Sequence, residues 1–402
     1  MKDSFKYVAM TEENANWNEA IKREKELYNK QDEIRSEFAR DYTRIIYSNA
    51  YKRMKHKTQV FFSPQNDHIC TRIEHVNHVE SISYTIANYL GLNTELTKAI
   101  AVAHDIGHSP FGHEGERETS KIAERDLGYP IWHEKNGLYF VDDVELLEDH
   151  MYNTENLNLT YAVRDGIISH CGEIDQNGIK PRKDAIDLST YSKPNEYAPY
   201  TWEACVVKIS DKISYIGRDI QDGLALKLLG KKQLEELDTI VGRDGNEKLN
   251  NTVIVHELIT DLCKNSTIEN GLTLSQKSLE MMDKIKRFNY ENIYKTKRKE
   301  PSERYFHLVI NEIYNTFKQA YNGADTEKEL LELEKFYPKA IPAFVEWIQK
   351  YWSLTDRTGT GLKNKVLYNM LNEKDYYRAV IDYILGMTDN YAIETYNEII
   401  CF

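Results

Sequence analysis

His104-Asp-Ile-Gly-His-Ser-Pro-Phe-Gly-His113 sets three imidazoles and a carboxylate within ten consecutive positions. Groups that bind cations and exchange protons near neutral pH are rarely concentrated this way to fill a core, so the stretch reads as a metal-centred active site. It also points to the fold. In the ten residues ahead of it, Leu96, Ala99, Ile100 and Ala103 recur at three- and four-residue steps, and Gly107 ends the pattern. His104 and Asp105 are therefore expected at the C-terminal end of an amphipathic helix.

The same periodicity continues outward. Upstream, Val76, Val79, Ser83, Ile86 and Leu90 predict a helix with His75 at its start, stopped by Gly91. Downstream, Ser109-Pro110 has the chemistry of an N-cap followed by proline at the first helical position, which predicts a helix whose free N–H groups face the site and favour phosphate. Trp202, Cys205, Val206, Ile209, Ile213, Ile216 and Ile220 mark a long helix, with Asp211, Tyr215 and Asp219 spaced four apart on its other face. Between His170 and Tyr200, three prolines and many polar residues read as a loop-rich excursion. The polar stretch 230–251 reads as a hairpin or loop. Amphipathic helices return from Val253 to Phe402, so the expected class is all-α.

Two donors do not make a metal site, and the adjacent His104-Asp105 pair needs partners from elsewhere. His75 and Asp211 are the candidates. Together the four give two nitrogens and two carboxylate oxygens, leaving an octahedral cation two positions for water and substrate; Mn²⁺, Fe²⁺, Mg²⁺ and Zn²⁺ all suit such a set. An ion there activates water or a phosphate oxygen, so phosphoester hydrolysis is the natural reaction class. His108, His113 and His133 are candidates to place the attacking water or protonate a leaving alkoxide, with Glu116 near enough to orient one of them. Arg72 lies one turn before His75 and Lys212 follows Asp211, so both can reach phosphate oxygens. Tyr215 suits sugar packing and Asp219 can accept from a hydroxyl, although both also fit a plain solvent-facing stripe. Six of the twelve histidines fall between positions 75 and 133, which argues against coincidence.

Composition narrows the class. The 402 residues, 41% hydrophobic and 29% charged, suit a large globular core, and no run of eighteen apolar residues spans a bilayer. The N-terminal segment lacks a secretory apolar stretch, so a cytoplasmic location is expected. Five scattered cysteines without a C-x-x-C pair read as reduced thiols. A net charge of −12 argues against broad nucleic-acid coating, so a polyanionic substrate would have to be held by a local basic pocket and a cation.

Taken in order, these residues resemble the HD-superfamily deoxynucleoside triphosphate triphosphohydrolases, the dGTPase-like enzymes. The likeness starts with the basic stretch Arg40 to Val60, which ends Lys57-Thr-Gln-Val60, and continues through Thr71-Arg-Ile-Glu-His75 and His104 to Glu116. Trp132-His-Glu-Lys-Asn136 and Asp211-Lys-Ile-Ser-Tyr-Ile-Gly-Arg-Asp219 follow, so it spans about positions 35 to 225. In one departure, Val76-Asn77-His78 stands where the family usually has a small hydroxyl residue and then an acidic or small one.

The resemblance implies an HD-domain phosphohydrolase core with additional C-terminal helices: an N-terminal helical segment over 1–50, the catalytic core over 51–230, and a region over 231–402 that completes the pocket and oligomer contacts. It implies one divalent metal on His75, His104, Asp105 and Asp211, with a further Mg²⁺ able to accompany the triphosphate. It assigns His108, His113, Glu116 and His133 to catalysis and triphosphate contact, Arg72 and Lys212 to the phosphates, Tyr215 to the deoxyribose, and Gln59 with Asp219 to the sugar 3'-hydroxyl. The implied reaction is hydrolysis of a dNTP, dGTP or several, at the α-phosphate to deoxynucleoside and triphosphate. A homo-oligomer, hexamer or tetramer, with a nucleotide effector between subunits is implied as well. The rivals are another HD nucleotidase or phosphodiesterase, or a nucleotide-sensing or single-stranded nucleic-acid-binding protein with a vestigial site.

Overall fold

The structure, a computed structural model, describes residues 5–27, 33–62, 66, 68–171, 177–241 and 251–401. Regular structure among them is nearly all helical, as the periodicity predicts; the exceptions are a two-stranded antiparallel ribbon, Leu146–Glu148 with Thr154–Asn156, and a few isolated bridges. The chain forms two compact units that interleave in sequence. One takes residues 1–45, 65–105 and 159–300, and the other 46–64, 106–158 and 301–402.

The first unit is built on four helices, Arg72–Leu90, Thr94–Ala103, Tyr161–Ser169 and Trp202–Ala225, which pack on one another. Local chemistry fixes their ends. Glu74 accepts the Thr71 N–H at 2.8 Å, and Gly91 closes the first helix with φ 80°, a left-handed conformation that costs glycine nothing. Asn93 caps the second by accepting from the Glu95 and Leu96 N–H groups, and Thr201 caps the fourth by accepting from that of Ala204. The first helix begins at Arg72, so Arg72 and His75 share its first turn. Val79, Ile86, Ile100, Ile213 and Ile216 are fully buried, each contributing about 1.5–3 kcal/mol. Gly166 lets the third helix lie against Ile100, whose side chain sits 2.6 Å from where a Cβ would stand.

The second unit packs Gly112–Asp126 against Glu373–Leu385, with Phe317, Phe344 and Tyr376 in its core. Here one expectation is corrected. Ser109-Pro110 does not open a helix: the helix starts at Gly112, preceded by Phe111 in the left-handed region at φ 63°, and the Ser109 hydroxyl donates to the Gly112 carbonyl instead of capping N–H groups. The turn at Phe111 delays the helix by two residues.

A second correction concerns the polar stretch 230–251, read as a hairpin or loop. Lys231–Val241 is a helix, with Gly230 donating its N–H to Gln233 and Leu237 fully buried; 242–250 lie outside the described residues. Leu234, Leu237 and Val241 carry a three- and four-residue spacing that the surrounding charge obscured. In the proline-rich excursion, the residues after 176 hold one short turn of 3₁₀ helix, Leu188–Thr190. No helix among the described residues is long and apolar enough to cross a membrane.

Candidate functional site

In the first unit, three chain segments bring the four candidate ligand side chains near one another. His75 comes from the first turn of one helix, His104 and Asp105 from the end of the next, and Asp211 from the middle of Trp202–Ala225. His75 Nε2 lies 3.0 Å from Asp211 Oδ1 and 3.8 Å from Asp105 Oδ2; His104 Nε2 lies 3.9 Å from Asp211 Oδ1 and 3.6 Å from Asp105 Oδ1. Bonds of about 2.0–2.2 Å give octahedral edges of about 2.8–3.1 Å, which the His75–Asp211 pair matches, while the other three separations are longer.

The donor set fits a divalent cation in its details. A carbonyl can only accept, so the 2.7 Å contact from His104 Nδ1 to the Ala101 oxygen puts the proton on Nδ1 and leaves Nε2 with its lone pair. That Nε2 is buried and has no hydrogen-bond partner. Arg72 Nη1 holds Asp105 Oδ2 at 2.6 Å and orients the carboxylate. Electrostatics agree. Burial opposes charge on His75, yet the hydrogen bond and charge of Asp211, with the charge of Asp105, outweigh it and raise the imidazole pKa. Burial likewise opposes the Asp211 carboxylate, and the bond and charge of His75 with the charge of His104 keep its pKa low. The nest is built for positive charge.

In the second unit, three imidazoles surround one carboxylate. Glu116 Oε1 accepts the His133 backbone N–H at 2.8 Å and lies 3.1 Å from His133 Nδ1; its Oε2 lies 3.7 Å from His108 Nδ1 and 3.6 Å from His113 Nδ1. Burial works against the carboxylate, but the charge of His133 and hydrogen bonds from His113 and His133 hold its pKa well below the usual range. The four residues have the composition of a second cation site. Ring geometry argues otherwise: His108 and His133 are stacked at 3.9 Å with 18° between planes. An ion shared by both would lie between the planes and not along the in-plane lone pairs. The arrangement suits proton exchange, with Glu116 in hydrogen-bond reach of His133 Nδ1 and the His133 Nε2 left to act.

Comparison with known proteins gives this geometry a family. The HD domain matches residues 72–216, which contain both clusters, and the phosphohydrolase-associated domain matches residues 346–398. A deoxyguanosinetriphosphate triphosphohydrolase-like protein of Caldanaerobacter subterraneus subsp. tengcongensis is 31% identical over 91% of this chain and 86% of its own length. The chain belongs to the dGTPase-like HD-domain family. Relatives of the same printed name from Rickettsia felis and Rickettsia bellii are 30% and 28% identical, each over 91% of this chain and 92% of their own. As a member of the HD phosphohydrolases the chain is a hydrolase that takes a divalent metal, for which the four-ligand nest is the candidate site.

Lys212 and Asp219 are buried and Tyr215 half-buried on the Asp211 helix, so this face is not a solvent stripe. Gln59, half-buried, belongs to the second unit. Two residues of the first unit escaped the sequence reading. His170 ends the helix Tyr161–Ser169 as His104 ends its own: its Nδ1 donates to the carbonyl three residues back, Ile167 O at 2.6 Å, and its ring sits edge-on to His104 at 5.0 Å. The repeated placement of a histidine directly after an apolar helix was the available signal. Tyr294 donates its hydroxyl to Asp219 Oδ2, a contact across 75 positions that no local pattern announces.

Proposed function

We propose that this protein hydrolyses deoxynucleoside triphosphates at the α-phosphate, releasing a deoxynucleoside and intact inorganic triphosphate. What supports the reading is the grouping of His75, His104 and Asp211, with Asp105 beside the two histidines, together with an imidazole trio around Glu116, in a chain similar over nine-tenths of its length to a deoxyguanosinetriphosphate triphosphohydrolase-like protein.

His75, His104, Asp105 and Asp211 would hold the cation, which would supply polarisation of a phosphoryl oxygen and activation of water. Arg72 orients Asp105 and, with Lys212, offsets phosphate charge. His133 keeps its Nδ1 proton on Glu116 and presents Nε2, which takes a proton from the attacking water and delivers it to the departing O5'. A bond forms between the water oxygen and the α-phosphorus, the bond from that phosphorus to O5' breaks, and O5' leaves protonated. His108, stacked on His133, and His113, beside Glu116, contact the triphosphate and keep the local charge balanced. Tyr215 packs on the deoxyribose, and Gln59 and Asp219 recognise the 3'-hydroxyl, with Tyr294 fixing the Asp219 carboxylate.

The test is incubation with each of the four dNTPs, singly and mixed, with Mn²⁺, Mg²⁺, Fe²⁺ or Zn²⁺, followed by chromatography of nucleosides and phosphates. Deoxynucleoside and triphosphate in equal amounts support the proposal. Orthophosphate or pyrophosphate would place the protein among other HD phosphohydrolases, and no turnover with any metal would leave a binding role. Activation in the mixture is expected if a nucleotide effector sits between subunits of a homo-oligomer, whose size light scattering reads.

A further inference from the structure

The second unit contains a buried carboxylate that the proposed reaction does not use. Asp389, 3% exposed, opens the helix Asp389–Ile400 within the phosphohydrolase-associated domain. Its two oxygens go to different segments. Oδ1 accepts the backbone N–H of Phe111 at 2.8 Å, and Oδ2 accepts that of Thr58 at 2.8 Å. Phe111 is the left-handed residue between His108 and His113, and Thr58 precedes Gln59.

The loop needs this support. A non-glycine residue at φ 63° persists only where its surroundings over-determine it, at a cost of about 1–3 kcal/mol. The Asp389 bond and the stacking of Phe111 on Phe306, at 4.4 Å and 4°, supply that constraint from both ends of the residue. Beside them the buried Lys57 ammonium donates to the carbonyls of His108 at 2.5 Å and Leu385 at 2.8 Å, so the start of the loop is tied to the same C-terminal region. A carboxylate offers an acceptor to each N–H. An amide offers one and would turn a donor towards the other.

We infer that Asp389 is a positioning residue of the active site, through which the C-terminal helix sets the placement of the His108–His113 loop and of the segment bearing Gln59. The inference rests on the reaction proposed above for its kinetic consequence, and on geometry alone for its structural one.

Asp389→Asn, compared with wild type, tests both. Metal content should be unchanged, kcat should fall at least tenfold, and histidine-selective NMR without substrate should show shifted His108 and His113 imidazole resonances. Asp382→Asn is the control: Asp382 is equally buried and bound to Tyr368 and Arg378, so its loss should lower the melting temperature yet leave kcat and those resonances as they are. If Asp389→Asn fails to fold, Lys57→Met, which removes the ammonium from the His108 carbonyl, carries the same readouts. Wild-type resonances together with kcat within twofold of wild type, in a folded variant, would overturn the inference. Should wild type release no triphosphate from any dNTP, the reaction assignment fails, and the resonances still decide the role of Asp389.

Discussion

The carbonyl of Ala101 accepts the Nδ1–H of His104 at 2.7 Å, and that bond leaves the ring with its lone pair on the nitrogen facing Asp105 and Asp211. The tautomer is set before any cation arrives. His104→Ala and Asp211→Ala should therefore lose metal and activity together. Elemental analysis is expected to show sub-stoichiometric metal in both, with turnover reduced at least a hundredfold. A variant that kept full metal would remove that residue from the ligand set.

Glu116 and His133 should behave oppositely. Neither is among the four ligands proposed here, and Glu116 lies 3.1 Å from His133 Nδ1. His133→Ala and Glu116→Gln are expected to retain wild-type metal content while turnover drops about 10²- to 10⁴-fold, the usual range for a lost general acid or base. Normal rates in His133→Ala would take it out of the mechanism. Because the folded pKa of Glu116 lies below its unfolded value, its contribution to stability is present above the ordinary glutamate range and is lost as pH falls through the depressed folded value.

These sites differ in how far the sequence disclosed them. The helices bearing His75, His104 and Asp211 were legible because each has an apolar stripe at helical spacing and a punctuating glycine or cap. The proposed ligand set came from residue type and resemblance. What sequence could not supply was long-range: Tyr294 reaching Asp219, Asp389 reaching Phe111, and the repeated geometry of His104 and His170. The Ser109-Pro110 cap failed for a local reason. A serine hydroxyl can satisfy a nearby carbonyl as well as an N–H, and the left-handed Phe111, held by a residue 278 positions away, moved the helix start.

Gly107 makes a closer test of backbone approach. A Cβ there would stand 2.2 Å from both the His133 carbonyl oxygen and the Gly137 nitrogen, and backbone cannot swing aside as a side-chain tip does. Asn136 Nδ2 also donates to the Gly107 carbonyl at 2.7 Å, fixing the same contact. Gly107→Ala should cost about 3 kcal/mol or more, beyond ordinary overpacking, and displace the start of the His133 helix. Calorimetry should show a melting temperature lower by several degrees, with turnover depressed while metal binding survives. An unchanged melting temperature would mean that the two backbones separate easily.

Asp222 offers a pH signature away from both clusters. Burial pushes its carboxyl up to about 6 from an ordinary 3.8; the Arg218 charge and the Cys70 N–H, donated at 3.2 Å, offset this only in part, and Glu74 adds to it. The folded chain thus holds this proton more tightly than the unfolded one. The stabilisation is fully present below the unfolded value and is lost as pH rises through the folded one, so between 3.8 and about 6 the group makes the protein less stable with each step upward. Asp222→Asn cannot ionise and keeps an oxygen for the Cys70 N–H. Its melting temperature should match wild type near the acid end of that window and exceed it by a few degrees at pH 7.5. Thermal melts of both proteins across that range check the sign: a variant that gains nothing as pH rises would show that Arg218 holds the Asp222 carboxylate ionised without cost.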